Sequence, residues 1–122
     1  MRFIANESCT ITGVAELVRS AVENVIRNAV RHTAPGTTVE VTMERQSRSI
    51  LLRVRDHGPG VPDAMLQDIF LPFHRVAAGA NGSGLGLAIA DRVVRMHEGT
   101  IQAYNAREGG LVIDIKLPLF TV

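Results

Sequence analysis

The stretch Asp56-His57-Gly58-Pro59-Gly60, followed by Gly82-Ser83-Gly84-Leu85-Gly86-Leu87, is the part of this sequence that most strongly indicates its fold and a candidate binding site. The first segment comes directly after a predicted strand, and the second opens a predicted helix. Glycines at such places let the backbone adopt positive φ and approach a ligand closely. An aspartate at a strand end can accept a hydrogen bond from an amino group, although D-x-G-P-G by itself is equally typical of a plain turn.

The second segment has the properties of a phosphate-binding helix start. Backbone N–H groups at a helix N-terminus, free of side chains, can surround a phosphate. The segment is not a dinucleotide fingerprint, because G-x-G-x-x-G fails at Leu87 and Ile89 and a loop precedes it. It is not a Walker A loop either, since the chain contains no Gly-Lys-Ser/Thr. Glycines that merely permit tight packing are the alternative interpretation at this point.

Length and composition narrow the class of protein. The 122 residues suffice for one domain with a single core. An apolar content of 46% and a charged content of 20% are those of a soluble globular protein. The net charge of +1 and the lack of a basic run with interleaved aromatics argue against a nucleic-acid partner. The single Cys9 excludes an intrachain disulfide.

The sequence also bears on location. No apolar stretch approaches the ~20 residues that a membrane-spanning helix needs. The N-terminus turns polar too early for a secretory signal. We therefore expect a cytoplasmic domain that does not itself insert into a membrane.

Hydrophobic periodicity predicts helices and strands in alternation. Helical spacing predicts helices over residues 14–32 and 85–97, with Gly99 as the stop of the second. The expected apolar side of the second helix comprises Leu87, Ala88, Val93, Val94 and Met96. Period-two alternation predicts strands over 38–44, 50–56, 100–105 and 111–117, with one or two short strands within 3–11. Residues 62–69 predict a short helix, 71–84 a mobile loop, and 107–110 a hairpin turn.

Polar residues of the first predicted helix share one ridge. At ~100° per residue, Asn28 lies about 40° and Arg31 about 20° from Asn24. The apolar stripe is centred about 110° from Asn24, so the two asparagines lie at the border between core and solvent. A half-buried amide oxygen there could hold a hard cation, and an ordinary polar border is the alternative.

Four short motifs occur in order: Asn24-x-x-x-Asn28, Asp56-x-Gly58-x-Gly60, Phe70-x-x-Phe73 and Gly82-x-Gly84-x-Gly86-Leu87. Their order and spacing closely resemble the ATP-binding catalytic domain of sensor histidine kinases, within the GHKL superfamily shared with Hsp90, DNA gyrase and the mismatch-repair ATPases. The resemblance covers residues 14–117 and implies one catalytic domain over 1–122. It implies a Bergerat fold: a two-layer α/β sandwich with a mixed, largely antiparallel sheet, helices on one face, and a flexible ATP lid at about 70–84.

The resemblance also implies roles for individual residues. Asn28 would coordinate Mg²⁺ with support from Asn24, and Asp56 would bind the adenine amino group of ATP. Arg31 and Arg75 would reach the phosphates and act with Asn28 in catalysis. His32 stands where the family commonly has a tyrosine against the base. The other nucleotide-contacting residues implied are Gly58, Gly60, Val61, Phe73, Gly82, Ser83, Gly84, Leu85 and Gly86.

The implied activity is transfer of the γ-phosphoryl group of Mg-ATP to a histidine, which needs positioning and charge neutralisation more than covalent help. The family's phosphoacceptor hairpin, with a histidine, an adjacent acid and a later Thr-Pro, does not occur in this chain. We therefore expect the acceptor on a separate dimerisation domain of the same or a partner chain. A response regulator would act downstream, and the parent protein would be anchored in the inner membrane with this domain on the cytoplasmic side.

Three other functions stay open. An ATP-hydrolysing switch of the Hsp90 or gyrase type would need a glutamate in place of Asn24, and Glu23 points about 100° off that ridge. A stand-alone serine kinase of the anti-sigma type would also be short. A nucleotide-binding module without catalysis is the third.

Overall fold

The described part of the chain folds into a five-stranded sheet with two α-helices. In the computed structural model, residues 2–5, 15–73 and 85–119 are described. The elements are β1 (Arg2–Ala5), α1 (Ala15–His32), β2 (Glu40–Arg45), β3 (Ser49–Arg55), two 3₁₀ helices (Asp63–Met65 and Asp68–Phe70), α2 (Gly86–Met96), β4 (Thr100–Asn105) and β5 (Leu111–Pro118). The strand order is β1-β2-β3-β5-β4. β1 pairs with β2 in parallel and every other pair is antiparallel, which confirms the predicted mixed, largely antiparallel sheet.

The first helix forms where its apolar period predicts it. Ala21, Val25 and Ala29 are buried at spacings of four residues, so they form one stripe towards the sheet. The residues predicted for the solvent side are all exposed: Glu16, Arg19, Glu23 and Arg27. The amphipathic prediction is therefore confirmed, with the sides of the helix assigned correctly.

The second helix departs from the prediction at one residue. Leu87, Val93 and Val94 are buried as expected, and Ala90 joins them. Met96 is 62% exposed, so its placement on the apolar side was wrong. Because successive helical residues turn by ~100°, Met96 lies about 200° from Val94 and faces solvent.

Both helices pack against each other and against one face of the sheet. The cross-strand row Val41–Val54–Ile113 belongs to the core on that side. Ile115 and Ile101, which are also paired, extend this core towards the edge strand β4. The core thus lies between the sheet and the two helices, as the predicted two-layer α/β sandwich requires.

The opposite face of the sheet carries polar side chains. Arg53 donates from Nε and Nη2 to the two carboxylate oxygens of Asp114, at 2.8 and 3.0 Å. This hydrogen bond raises the pKa of the Arg53 guanidinium above its ordinary value. The guanidinium lies 6.0 Å from the ring centroid of Tyr104, and partial burial raises the pKa of that phenol. The part of this face that carries the ion pair and the half-exposed aromatic is suited to contact with water.

Element boundaries differ from the predictions by a few residues. β2 begins two residues late, and β3 ends at Arg55, which leaves Asp56 just beyond the strand. The helix predicted over 62–69 is two separate 3₁₀ helices. The turn at 107–110 is confirmed, with Ala106 N–H donating to the Gly110 carbonyl at 2.8 Å. Residues 6–14 and 74–84, which hold the helix start at 14 and most of the predicted loop, lie outside the described residues.

One negative finding concerns membranes. Neither α-helix in the described ranges combines the length and the hydropathy that crossing a bilayer requires.

Candidate functional site

Asp56, at the end of β3, is the centre of the site. It is 2% exposed and is the one buried charged residue among those that the structure describes. Its Oδ1 accepts hydrogen bonds from the backbone N–H groups of Gly58, at 2.9 Å, and Leu111, at 3.0 Å. Its Oδ2 accepts none from residues 15–73 or 85–119. Oδ2 therefore remains available to accept a hydrogen bond from a ligand.

Asp56 forms part of the wall of a mainly apolar pocket. α1, the loop after β3, the second 3₁₀ helix, α2 and the start of β5 all contribute to it. The lining residues are Asn28, His32, Asp56, Pro59, Gly60, Val61, Ile69, Leu87 and Leu111. Apolar walls with a single directed acceptor suit a flat heteroaromatic ring that carries an amino group.

Gly58 and Gly60 have different reasons to be glycine. Gly60 has φ +75°, and a Cβ there would lie 2.6 Å from Asn105 Oδ1. Gly58 does not have positive φ, but a Cβ on it would collide with the backbone oxygen of His32. The expectation of positive φ is thus confirmed at Gly60 and wrong at Gly58, where close packing of the loop on α1 is the requirement.

The asparagine ridge of α1 meets the start of α2. Asn24 and Asn28 are both half-buried, as predicted, and Arg31 on the same ridge is exposed. A Cβ added to Gly86 would lie 3.6 Å from Asn24 Oδ1, so the two motifs are in contact. Among the residues that the structure describes, neither asparagine side chain has a hydrogen-bond partner. Free amide oxygens of this kind are suitable ligands for a hard cation such as Mg²⁺.

His32 lies at the pocket edge in a fixed orientation. Its Nδ1 is 2.9 Å from the backbone oxygen of Asn28. A carbonyl oxygen only accepts, so Nδ1 carries a proton and donates it to this bond. The ring therefore lies at the pocket in a fixed orientation, and its contact with a base stays a prediction.

Hydrogen bonds tie the loop after α1 to the motif around Asp56. The backbone N–H of His57 donates to Thr33 Oγ1 at 3.0 Å, and the N–H of Ala34 donates to the His57 carbonyl at 3.4 Å. The His57 ring reaches the Thr38 carbonyl, with Nδ1 at 2.7 Å. The end of α1 and the end of β3 thus form one connected wall of the site.

Some predicted residues do not join this cluster. Phe73 is 69% exposed and does not line the pocket. Leu85 and Gly86 stand at the first turn of α2, with Leu85 as its N-cap residue. Arg75, Gly82, Ser83 and Gly84 lie outside the described residues, so their predicted roles stay predictions.

Sequence reasoning missed several residues of the site. Ile69 and Leu111 line the pocket, whereas the sequence placed them only at the ends of a predicted helix and a predicted strand. Leu87 also lines it, although it was predicted only as the last residue of the glycine motif and as part of the apolar side of the second helix. Asn105 was read only as the end of a strand, although its side chain contacts the pocket loop. An asparagine directly before a turn was the available signal, and it is too common to identify a site.

A larger depression, of about 580 Å³, lies between the 3₁₀ segments, α2 and β4. The pocket at Asp56 encloses about 80 Å³. The two charged side chains of the larger depression, Asp91 and Arg95, already pair with each other at 2.9 Å. Volume favours the depression as a ligand site, but the Asp56 carboxylate oxygen that has no donor among the described residues favours the smaller pocket, and we assign the site on that ground.

Comparisons with a family model and with curated proteins indicate the same family. The family model described as "Histidine kinase-, DNA gyrase B-, and HSP90-like ATPase" matches residues 13–121. The signal transduction histidine-protein kinase AfsQ2 of Streptomyces coelicolor is 43% identical over 98 residues, which are 78% of this chain and 18% of AfsQ2. The chain thus spans less than a fifth of that relative.

Solved structures agree with the sequence comparison. The mycobacterial sensor histidine kinase MprB superposes with a TM-score of 0.82 at 31% identity, covering 99% of this chain and 83% of that one. Full-length ShkA, solved in complex with AMPPNP, superposes with a TM-score of 0.81 at 27% identity, covering 99% of this chain and 26% of ShkA.

Proposed function

Because the chain belongs to the histidine kinase-, DNA gyrase B- and HSP90-like ATPases, and within them to the catalytic domains of sensor histidine kinases, we propose that it binds Mg-ATP and donates the γ-phosphoryl group to a histidine on a separate dimerisation domain.

The arrangement around Asp56 is the observation that carries the proposal. Its Oδ2 has no donor among the described residues, and Asp56 lines a pocket walled by Val61, Ile69 and Leu87. The exocyclic amino group of adenine would donate to Oδ2 while the ring lies between the apolar walls. Guanine has a carbonyl oxygen at the corresponding position, which would oppose the carboxylate, so the pocket favours adenine over guanine.

The phosphates would extend from this pocket towards the asparagine ridge. Asn28 lines the pocket and, with Asn24, offers amide oxygens that lack partners in the described part of the chain. These residues fit Mg²⁺, which when bound neutralises phosphate charge during transfer. Arg31 and Arg75 would add positive charge, and the backbone at Leu85 and Gly86 would donate N–H groups at the helix start.

The site is better suited to phosphoryl transfer than to hydrolysis. Asn24 stands on the ridge beside Gly86, and an amide cannot take a proton from water. Glu23, the adjacent acid, is exposed and points about 100° away from that ridge. A histidine acceptor needs no strong base, since a neutral imidazole is itself a nucleophile near pH 7.

The rest of the parent protein is also part of the proposal. The first four curated relatives extend well beyond this region, which covers 18–26% of their lengths. We infer that the phosphoacceptor histidine belongs to a dimerisation domain elsewhere in the same or a partner chain. That domain would pass the phosphoryl group to a response regulator, and the catalytic domain would act on the cytoplasmic side of a membrane-anchored parent.

A transfer experiment tests this function. The chain is incubated with Mg-ATP labelled at the γ-phosphate and with the histidine-bearing domain of its parent kinase. Label that appears on that domain, is lost in acid and survives in alkali is the expected result. Acid-stable label on serine would favour a kinase of the anti-sigma type, and free phosphate alone would favour a hydrolase.

A further inference from the structure

Asn105, the last residue of β4, pairs with the backbone of the pocket loop through its side chain. Its Oδ1 accepts a hydrogen bond from the Val61 N–H at 2.9 Å, and its Nδ2 donates to the Val61 carbonyl at 2.6 Å. The second hydrogen of Nδ2 is donated to Asp63 Oδ1 at 2.9 Å. The amide therefore satisfies both backbone groups of Val61, as a neighbouring strand would.

This contact lies directly behind the pocket wall. Val61 is buried and lines the pocket next to Gly60, whereas Asn105 is not among the lining residues. Gly60 is packed against the same side chain, because a Cβ on it would lie 2.6 Å from Asn105 Oδ1. The amide thus acts on the inner surface of the pocket from outside it.

The hairpin between β4 and β5 holds the loop at two points. At the other point, the Asp56 N–H donates to the Leu111 carbonyl at 3.0 Å, and the Leu111 N–H donates to Asp56 Oδ1 at 3.0 Å. Asn105 and Leu111 stand at the two ends of one tight turn. The acceptor of the site and its apolar wall are consequently positioned by one element.

We propose that Asn105 is a positioning residue that fixes the Gly60–Val61 wall against the base of the bound nucleotide. The inference rests on the proposed ATP-binding function. The loop contains two glycines, and a loop that is not ordered in advance must lose its freedom when ligand binds, which weakens binding. Asn105 removes that loss by ordering the wall before the base arrives.

The chemistry requires an amide at this position. A carboxylate has acceptors only, so Asn105→Asp would keep the bond from the Val61 N–H and lose both donations. It would also place a second negative charge beside Asp63. Protonation of the introduced carboxyl restores one donor, so this variant should recover affinity as the pH falls.

Calorimetric titration of Asn105→Ala and Asn105→Asp with ATP, ADP and AMP tests the proposal. Gln102→Ala, at an exposed position on the same strand, is the matched control. We expect each Asn105 variant to bind all three nucleotides about tenfold more weakly at pH 8, since several hydrogen bonds that order the wall are lost. The factor should be the same for the three ligands, because they share only the base and the ribose 5′-phosphate.

The outcomes separate this inference from the function on which it rests. Wild-type affinity in Asn105→Ala with a lowered melting temperature would show a purely structural role and overturn the inference alone. A loss confined to ATP would place the effect at the γ-phosphate and also overturn it. Failure of the wild-type chain to bind any adenine nucleotide would overturn the proposed function and the inference together. If Asn105→Ala does not fold, the affinity of Asn105→Asp for ATP is measured from pH 8 to acidic pH. A rise in affinity as the pH falls supports the proposal, and an affinity that does not change with pH contradicts it.

Discussion

Individual residues of the site owe their roles to unsatisfied hydrogen-bonding groups. Asp56 uses one carboxylate oxygen to fix the protein backbone and keeps the other for a donor that residues 15–73 and 85–119 do not supply. Asn24 and Asn28 likewise present amide oxygens at the edge of the core. Several acceptor oxygens without a donor from the described residues, placed around one pocket, are suited to binding a ligand.

The metal role of Asn28 can be tested by substitution. Asn28→Ala removes the proposed Mg²⁺ ligand and leaves the wall around Asp56 in place, so it should abolish the gain in ATP affinity that Mg²⁺ brings. The expected loss in that gain is at least about tenfold, as for other changes near bound metals. Titrations with Mg²⁺ and with a chelator measure it, and the affinity in chelator is the internal control. An unchanged Mg²⁺ dependence would contradict the assignment.

Arg75 provides a test at the other end of the nucleotide. Arg75→Ala should weaken the binding of ATP about tenfold more than the binding of ADP, since a charge-assisted hydrogen bond contributes ~1.5–3 kcal/mol. Arg92→Ala, at an exposed position of α2, serves as the matched control. Equal losses for ATP and ADP would place Arg75 away from the γ-phosphate.

Local motifs were predictable at this scale, and contacts between distant residues were not. Asp56 directly follows its strand, Gly60 has positive φ, and Asn24 and Asn28 are half-buried, as the motifs predicted, whereas their roles towards a nucleotide stay predictions. The contact between Asn105 and Val61 joins residues 44 positions apart in the chain. Nothing in the sequence near Asn105 specifies that partner, because the register of β4 and the path of the loop decide it.

The helices and strands show how element type and element ends depend on different information. The apolar period predicted both α-helices and four strands, since burial of one face dictates the repeat. The C-terminus of α2 illustrates what the period cannot predict. Gly99 was expected to end the helix, and the residue with positive φ is Glu98, at 61°.

The end of α2 is a Schellman motif. The Gly99 N–H donates to the Val94 carbonyl at 2.9 Å, and the Glu98 N–H donates to the Arg95 carbonyl at 3.0 Å. Gly99 is needed for a different reason, because a Cβ there would collide with the Lys116 carbonyl of β5. Gly99 is thus required where the chain passes close to β5, and the residue in the left-handed conformation is Glu98, which precedes it.

A prediction at the element scale follows from Glu98. Glu98→Gly should raise the free energy of unfolding by about 0.5–1 kcal/mol, because glycine adopts the left-handed conformation without the penalty of a side chain. Glu98→Ala keeps that penalty and should leave stability nearly unchanged. Urea denaturation measures both, and ATP affinity should not change in either. Equal stabilities of the two variants would show that the backbone conformation at this position is not under strain.

At the scale of the whole molecule, the candidate binding pocket lies on the side of the sheet that the helices cover. The helices cover the face on which the core lies, and the pocket opens where α1, α2 and the end of β3 meet. The opposite face is ion-paired, as in Arg53 and Asp114. The sequence predicted this two-layer arrangement, because patterns of burial determine layers. It did not predict how the β4–β5 turn closes on the pocket, because that depends on the packing of distant elements.

Binding of ATP through Asp56 is the central claim, and calorimetric titration of Asp56→Asn with Mg-ATP tests it most directly. The substitution keeps the size of the side chain, but when its oxygen takes the Oδ1 position it turns the remaining acceptor into a donor that opposes the adenine amino group. Asp68→Asn, at an exposed position, is the matched control. We expect Asp56→Asn to bind ATP at least about tenfold more weakly than the wild type, since a hydrogen bond to a charged group contributes ~1.5–3 kcal/mol. Near wild-type affinity in a folded Asp56→Asn chain would contradict the assignment of this pocket to adenine.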